Sequence, residues 1–420
     1  MLKYPALLIL NGIIFIMLST NVTFSPIAKA ETVEIAVLST SSQQRAVYAK
    51  HEKNLKLSHP NIQLNIKFLS DTDFKQDLNQ WLNKGSGPDI LTWQGGQRLF
   101  QLVKKDQVKD LTSFWDKHDL NSRFSAGAID AISVDNSRYG VPASYYQWGL
   151  YYRESLFESL NITAPTTWDE LITVCKVMLQ NDITPITIGA ANKWTSAAWF
   201  DYLNLRINGL TFHQELLVGE HSFNSKQVRA VFSKWKELLD SGCFTDRFNG
   251  WDWTQAMPFL YHKMAGMTLI GNFFASSLPQ TLKDDFRFAP FPIIEKNIPR
   301  YEEAPLDLMM VPNYAQLSDD VETVLLSLTS NAFLSELNNA SSMISPVTDN
   351  VASEDYFTNE GQKLLQEAKG LSQFFDRDTN AEMASAATII FTDFMGHKDI
   401  DEAIAELEDA RKRYLIAQSM

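Results

Sequence analysis

Cysteine is nearly missing from this sequence of 420 residues, with Cys175 and Cys243 the whole supply. Two thiols with no paired histidines beside them cannot build a four-ligand structural zinc site. Each falls in or just after an amphipathic helical stretch and reads as a buried core thiol, with a disulfide between them as the alternative in an oxidising compartment. The seven histidines (His51, His59, His118, His213, His221, His262 and His397) show no short ligand spacing. His213 and His221 lie in a polar stretch and read as solvated surface residues. Neither a Gly-x-Ser-x-Gly elbow nor a Gly-x-x-x-x-Gly-Lys-Ser/Thr loop occurs, which argues against nucleophilic hydrolases of that kind and P-loop ATPases. No catalytic residue, metal ligand or cofactor is assigned. Basic residues are also short, 37 Lys and Arg against 50 Asp and Glu for a formal charge of −13, which argues against a nucleic-acid partner. Repeats and low-complexity tracts are missing as well.

Long apolar runs are confined to the first thirty residues. Lys3 supplies a positive start, and Ala6 to Leu18 is apolar apart from Asn11 and Gly12. That run is too short for a mature membrane-spanning helix. It is followed by a more polar stretch ending in Ala28-Lys29-Ala30, the small-x-small pattern of a signal-peptidase site. Cleavage before Glu31 is expected, with an uncleaved anchor as the alternative. No cysteine adjoins the cut to carry a lipid, so the expected product is a soluble periplasmic protein of a Gram-negative cell. The cut removes Lys3 and Lys29 and no acid, leaving 35 basic and 50 acidic residues and a charge of −15. The remaining 390 or so residues exceed what one core usually organises, so two domains are expected.

What is there begins with alternation. Val33, Ile35 and Val37 alternate with polar residues, a polar turn through Ser41 and Gln43 leads into a helical stretch stopped by His59-Pro60, and Ile62, Leu64, Ile66 and Phe68 alternate again. Strand, turn, helix and strand in that order open an α/β unit with a parallel sheet. Gly85 to Pro88 feeds a short strand ending at Trp93, at the carboxyl end where ligands collect in open α/β sheets. Beyond Tyr139-Gly140-Val141-Pro142 comes the densest aromatic stretch, with Tyr145, Tyr146, Trp148, Tyr151 and Tyr152, of which Leu150 and Tyr152 are expected to point inward. Thr167 and Glu170 form a capping box ahead of a stripe of Leu171, Val174, Cys175 and Met178. Asn224 is expected to cap a second helix with a stripe of Val228, Val231, Phe232, Trp235 and Leu239, ended by Gly242. Phe286–Ala289 and Leu308–Val311 read as short strands bounded by prolines, and the chain from Asp319 onward is largely helical.

Ten tryptophans carry the strongest signal. Trp168 and Trp235 belong to helix stripes, and Trp81, Trp115 and Trp199 read as packing. Trp93, Trp148, Trp194, Trp251 and Trp253 instead sit in or beside polar or glycine-containing turns. A sugar offers flat C–H surface edged by hydroxyls, which aromatic rings and Asn, Asp, Gln or Arg side chains match. As a set these rings suggest a carbohydrate cleft.

Four landmarks in order then resemble one family. They are Pro88-Asp89-Ile90 ending in Trp93; Tyr139-Gly140-Val141-Pro142 leading to Tyr151-Tyr152; Pro165-Thr166-Thr167-Trp168-Asp169-Glu170-Leu171; and Met264-Ala265-Gly266-Met267-Thr268-Leu269-Ile270-Gly271-Asn272-Phe273. Together they resemble the family-one extracellular solute-binding proteins of ABC sugar importers, the group that includes maltose-binding protein. The resemblance implies an α/β fold of two lobes joined by crossing strands, with a ligand cleft between them. It places lobe one at 31–140 and 276–330, and lobe two at 141–275 and 331–420. It also implies ligand contacts at Ser41, Gln43, Trp93, Tyr145, Tyr146 and, in place of the family's Gly-x-Trp aromatic, Phe273. Asp307 stands where many members carry a glycine pair. Trp194, Trp251, Trp253 and Arg377 complete the candidate set. The implied role is a monomeric, non-enzymatic binder that takes a mono- or oligosaccharide and hands it to membrane permease subunits. A sensor presenting the sugar to a receptor ectodomain and a secreted glycosidase are the rival readings, the second because two carboxylates about 5–10 Å apart need not be close in sequence.

Overall fold

The computed structural model describes residues 1–2, 31–39, 41–348 and 353–416. The leader expected over 1–30 and its cleavage site therefore fall almost wholly outside the described residues. Thirteen strands follow in chain order: β1 (Glu31–Leu38), β2 (Ile62–Leu69), β3 (Ile90–Gln94), the small hairpin of β4 (Ser133–Val134) and β5 (Ser137–Arg138), then β6 (Val141–Tyr145). After these come β7 (Trp148–Arg153), β8 (Thr184–Ile186), β9 (Ala265–Gly271), β10 (Phe286–Ala289), β11 (Glu302–Glu303), β12 (Leu306–Met310) and β13 (Leu371–Ser372).

They form two main sheets. The first has the order β2-β1-β3-β12-β6, parallel through β2, β1 and β3, with β12 antiparallel to both of its neighbours. The second has the order β10-β7-β9-β8 and is antiparallel except where β8 meets β9. Each sheet carries its own hydrophobic core. One gathers residues between Val33 and Ala143 with Leu306 to Val347, the other Tyr146 to Phe291 with Phe357 to Ala410. The chain crosses between them at Tyr145-Tyr146, again between β10 and β12, and a third time between Val347 and Phe357.

Local chemistry explains most element ends. Ser41 accepts from the Gln44 amide at the start of the helix Ser42–Ser58, which His59 closes ahead of Pro60. The capping box forms as expected, with Thr167 accepting from the Glu170 amide and Glu170 from the Thr167 amide. The stripe behind it, Leu171, Val174, Cys175 and Met178, is buried. The second helix, Lys226–Asp240, is capped by Ser225 and not Asn224, because the Ser225 hydroxyl is the oxygen that reaches the Val228 amide. Gly242, at φ 72°, follows its end. No described helix is long and apolar enough to cross a membrane.

Several expectations are revised. β10 lies beside β7, with Phe288 opposite Tyr151, so 286–289 joins the second sheet although the sequence placed it with the first lobe. The helix Asn331–Ser341 buries Phe333, Leu334 and Leu337 in the first core, where the sequence put this stretch in the second lobe. On β7 both faces are covered, so Leu150 and Tyr151 are fully buried and Tyr152 only half so. The two cysteines are bonded to each other, Cys175 on the helix Trp168–Leu179 and Cys243 just past Gly242. His213 is fully buried, its Nδ1 accepting from the Asn204 amide nitrogen at 3.0 Å, while His221 is half-exposed.

Candidate functional site

A cluster of rings forms where the carboxyl end of β9 meets the first crossing. Phe273 opens the short helix Phe273–Ser277 directly after β9, and its ring meets four others edge-on: Trp253 at 5.2 Å, Tyr146 at 5.7 Å, Trp148 at 5.9 Å and Trp194 at 6.0 Å between centroids. Trp148 is stacked on Phe374 at 4.6 Å. Phe273, Trp194 and Trp253 are each only half-buried, so part of each ring meets solvent. Trp253 owes its position to a second capping box, in which Asp252 accepts from the Thr254 and Gln255 amides. Gly189 lies so close behind that turn that a Cβ there would sit 2.1 Å from the Asp252 carbonyl oxygen, so glycine is required for this approach.

Beside the rings stands an ion pair. Arg377, 7% exposed, donates from Nη1 to the Asp307 carboxylate at 2.9 Å and to the Leu306 carbonyl at 3.1 Å, and from Nη2 to the Tyr146 hydroxyl at 3.2 Å. One guanidinium thus joins β12 of the first sheet to the first residue of the second core. Burial raises the Asp307 pKa and Arg377 lowers it. Burial is the larger of the two and leaves the Asp307 carboxyl above its ordinary value, although the side chain keeps 38% of its surface in solvent. A second pair adjoins it: Arg98 donates to the Asp376 carboxylate and carbonyl, each at 2.8 Å, and to Gln94 at 2.9 Å.

Of the other expected residues, Ser41 and Gln43 line a separate cavity of about 390 Å³ with Gln44, Ser276, Gln280 and Ser342. It lies between the start of the helix Ser42–Ser58 and the helix that Phe273 opens. Tyr145 is half-buried against the first core, and its backbone bridges to Ile344. Trp93 does not join the rings: it is 8% exposed and stacked on Phe74 inside the first core. Trp251 packs on Phe259 and makes no ring contact with the cluster. Phe374, Gln94, Arg98 and Asp376 were not among the candidates. Trp148 was visible in the aromatic stretch, yet it is a buried strand residue and not a turn residue.

The segment 371–378, which carries Phe374, Asp376 and Arg377, is tied down from beneath. Asp201 accepts from the Phe375 amide at 2.8 Å, and Asp378 accepts from the Gln373 amide and the Ser372 hydroxyl. Burial pushes the Asp378 carboxyl up to about 6. Asp201 and Glu303, both fully buried, stand well above the carboxylate range, first through desolvation and, for Glu303, next through the Asp201 charge. His213, with Nε2 3.8 Å from Asp201, is pushed down to about 3 by burial. Carboxyls whose pKa is raised on folding hold protons that the unfolded chain releases, so their contribution is complete below the ordinary carboxylate range and is lost as pH rises. His213 acts in the opposite sense, favouring the fold as pH rises past its unfolded value. Comparison with Asp201→Asn isolates the pair. As pH rises above the ordinary carboxylate range the wild type is expected to lose stability relative to the variant by up to about 1.4 kcal/mol per pH unit, read by thermal denaturation; parallel curves would show that Asp201 titrates alike in the folded and unfolded chain.

Comparison with known proteins gives a consistent picture. Residues 40–332 match the family described as bacterial extracellular solute-binding protein. An uncharacterised ABC transporter extracellular-binding protein of Pyrococcus horikoshii is 24% identical over 327 residues, 74% of each chain. A probable sugar-binding periplasmic protein of Rhizobium meliloti is 22% identical, covering 76% of this chain and 77% of its own. Among solved structures, the bacterial solute receptor AcbH, described as having an exclusive preference for β-D-galactopyranose, superimposes with a TM-score of 0.83 at 23% identity, over 92% of this chain and 98% of its own.

Proposed function

The chain belongs to the bacterial extracellular solute-binding protein family, a family of binders and not enzymes, and is the extracellular binding component of an ABC transporter; from that premise we propose that its solute is a carbohydrate, held at the Phe273 cluster. The two sheets with their separate cores act as the lobes, one spanning about 31–145 and 304–348 and the other about 146–303 and 353–416. The observation that carries the reading is the set of half-buried rings, Phe273, Trp194 and Trp253, beside the Asp307–Arg377 pair. Rings cover the C–H faces of a pyranose, and the free oxygen of Asp307 accepts from its hydroxyls. The Rhizobium relative's sugar-binding description and the galactopyranose preference of AcbH point the same way.

Sugar bridging the rings of one half and Asp307 of the other favours the shut arrangement, because that arrangement alone makes both sets of contacts. The shut form is then the one that docks on the permease in the periplasm, after removal of residues 1–30. Isothermal titration of the mature chain against mono- and oligosaccharides tests the reading. A ligand present at 100 times its Kd is expected to stabilise the chain by about 2.7 kcal/mol, visible as a rise in Tm. A panel of pentoses, hexoses and their oligomers that all leave Tm and heat unchanged would refute it.

A further inference from the structure

Beneath the segment 371–378 lie two carboxyls that no donor satisfies. Asp201, on the helix Ala197–Ile207, accepts from the Phe375 amide at Oδ2, while its Oδ1 and both oxygens of Glu303 receive no hydrogen bond from a donor among the described residues. Both side chains are fully buried and stand within hydrogen-bonding reach of each other. The charges around them offer no substitute for a donor. Arg206, on the same helix, is committed to Glu302 at 2.6 Å and to the Tyr301 carbonyl, and the Tyr202 hydroxyl is shared between Glu302 and the Trp148 carbonyl. Arg300 reaches Glu302 and Glu367, each at 3.9 Å. His213, on the helix Leu210–Leu217, accepts from Asn204 at Nδ1, so its proton sits on Nε2, 3.8 Å from Asp201 Oδ1 and too far for a hydrogen bond. On the turn Phe375–Asp378, Asp376 and Asp378 add negative charge and Arg377 is held by Asp307. Two bare carboxylates cannot stand side by side in such a place. One proton between them makes the first a donor and the second its acceptor.

We infer that Asp201 and Glu303 share a proton, and that this proton holds the segment carrying Phe374 and Arg377 in the position from which solute is bound. The segment is gripped from two directions: β11 pairs Glu303 with Ser372 on β13, and Asp201 holds the Phe375 amide. At that grip Phe374 stacks on Trp148 at 4.6 Å, and two residues on Arg377 donates to Asp307. Loss of the proton sets two charges against each other, turns Asp201 away from Phe375 and takes the anchor from the ring and the guanidinium. Affinity is then complete while the pair is protonated and is lost as pH rises through its titration; by linkage, solute binding takes up a proton in that range. This coupling rests on the carbohydrate reading above and makes it proton-dependent.

The test has two readouts on the mature chain. Without ligand, hydrogen exchange of the 373–378 amides, corrected for the intrinsic pH dependence of exchange, is followed from about pH 5 to about pH 9, and protection is expected to fall at least tenfold. With the pentoses, hexoses and oligomers of the panel above, titration calorimetry in buffers of high and low ionisation enthalpy is expected to show a Kd that rises with pH, by at most about tenfold per pH unit for one proton, and proton uptake on binding. Asp201→Asn keeps an oxygen for the Phe375 amide and offers Glu303 an N–H, so both slopes are expected to vanish. Glu303→Gln is the second variant should the first fold poorly, and the wild-type series needs neither. A flat wild-type profile in either readout, or slopes that persist in a folded variant, overturns the inference and leaves the carbohydrate reading standing. Silence from every sugar at every pH overturns the carbohydrate reading and the coupling with it.

Discussion

Phe273→Ala is expected to weaken carbohydrate binding about 100-fold with little change in fold. The ring is half-buried and meets Tyr146, Trp148, Trp194 and Trp253 in T-shaped contacts, so it stands at the centre of the cluster with part of its surface in solvent. Covering roughly 100 Å² of ring and sugar C–H surface contributes about 2.5 kcal/mol, and 1.4 kcal/mol is tenfold in Kd. Phe273→Trp restores the face and adds an indole N–H, so it should keep affinity within a few-fold of the wild type. Trp93→Ala is the contrasting variant. It empties a buried position against Phe74, and should lower Tm while leaving the Kd of the folded fraction nearly unchanged. Calorimetric titration and melting curves on all three separate the outcomes. Equal affinity for Phe273→Ala and wild type would move the binding site away from these rings.

Loss of the disulfide is expected to have the largest effect on stability. Cys175 and Cys243 are 68 residues apart, and closing a loop of that length in the unfolded chain corresponds to about 4 kcal/mol in the chain-entropy account. Cys175→Ala with Cys243→Ala should therefore lower Tm by roughly 5 °C. The bond ties the helix Trp168–Leu179 to the turn whose Cys243 carbonyl accepts from the Ile186 amide at the edge of β8. Neither sulfur is near the ring cluster, so carbohydrate affinity below the melting range should be unchanged. Calorimetric scans of wild type, reduced wild type and the double variant measure this. A reduced protein that melts with the oxidised one would show that the bond contributes nothing in solution.

How much of this was legible depended on the range of the interaction. The capping box at Thr167, the stop at His59-Pro60 and the buried stripe from Leu171 to Met178 are decided by neighbours within a turn or two, and sequence spacing showed them. The choice between Asn224 and Ser225 is equally local, but it turned on which oxygen reached Val228, a matter of one residue in register. Sheet membership is not local. Nothing in Phe286–Ala289 states that it pairs with β7, and the alternation of a short strand is the same in either sheet. His213 shows the same limit, since its polar sequence neighbours said nothing of the buried Asn204 and Asp201 that surround it in space. For the site, polar turns pointed to Trp194 and Trp253 and the family resemblance to Phe273 and Tyr146, four residues whose rings meet in one cluster. Trp93 sits at the expected strand end, but Phe74 occupies its ring face. Gln94, Arg98 and Asp376 were invisible because their meaning lies in an ion pair and a hydrogen bond that Arg98 makes with residues 278 positions and one turn away.

The placement of β12 has a consequence for synthesis. It is inserted between β3 and β6, opposite Leu91 to Gln94 on one side and Val141 to Tyr145 on the other, so the first sheet has no bond between those two strands until residues 306–310 arrive. At 5–20 residues per second that wait lasts roughly 10–40 s after β3 emerges from the ribosome. During it the amino-terminal half lacks Leu306, Leu308, Met309 and Met310, all fully buried in the finished core. The first sheet and its core are therefore completed only after most of the chain has been made.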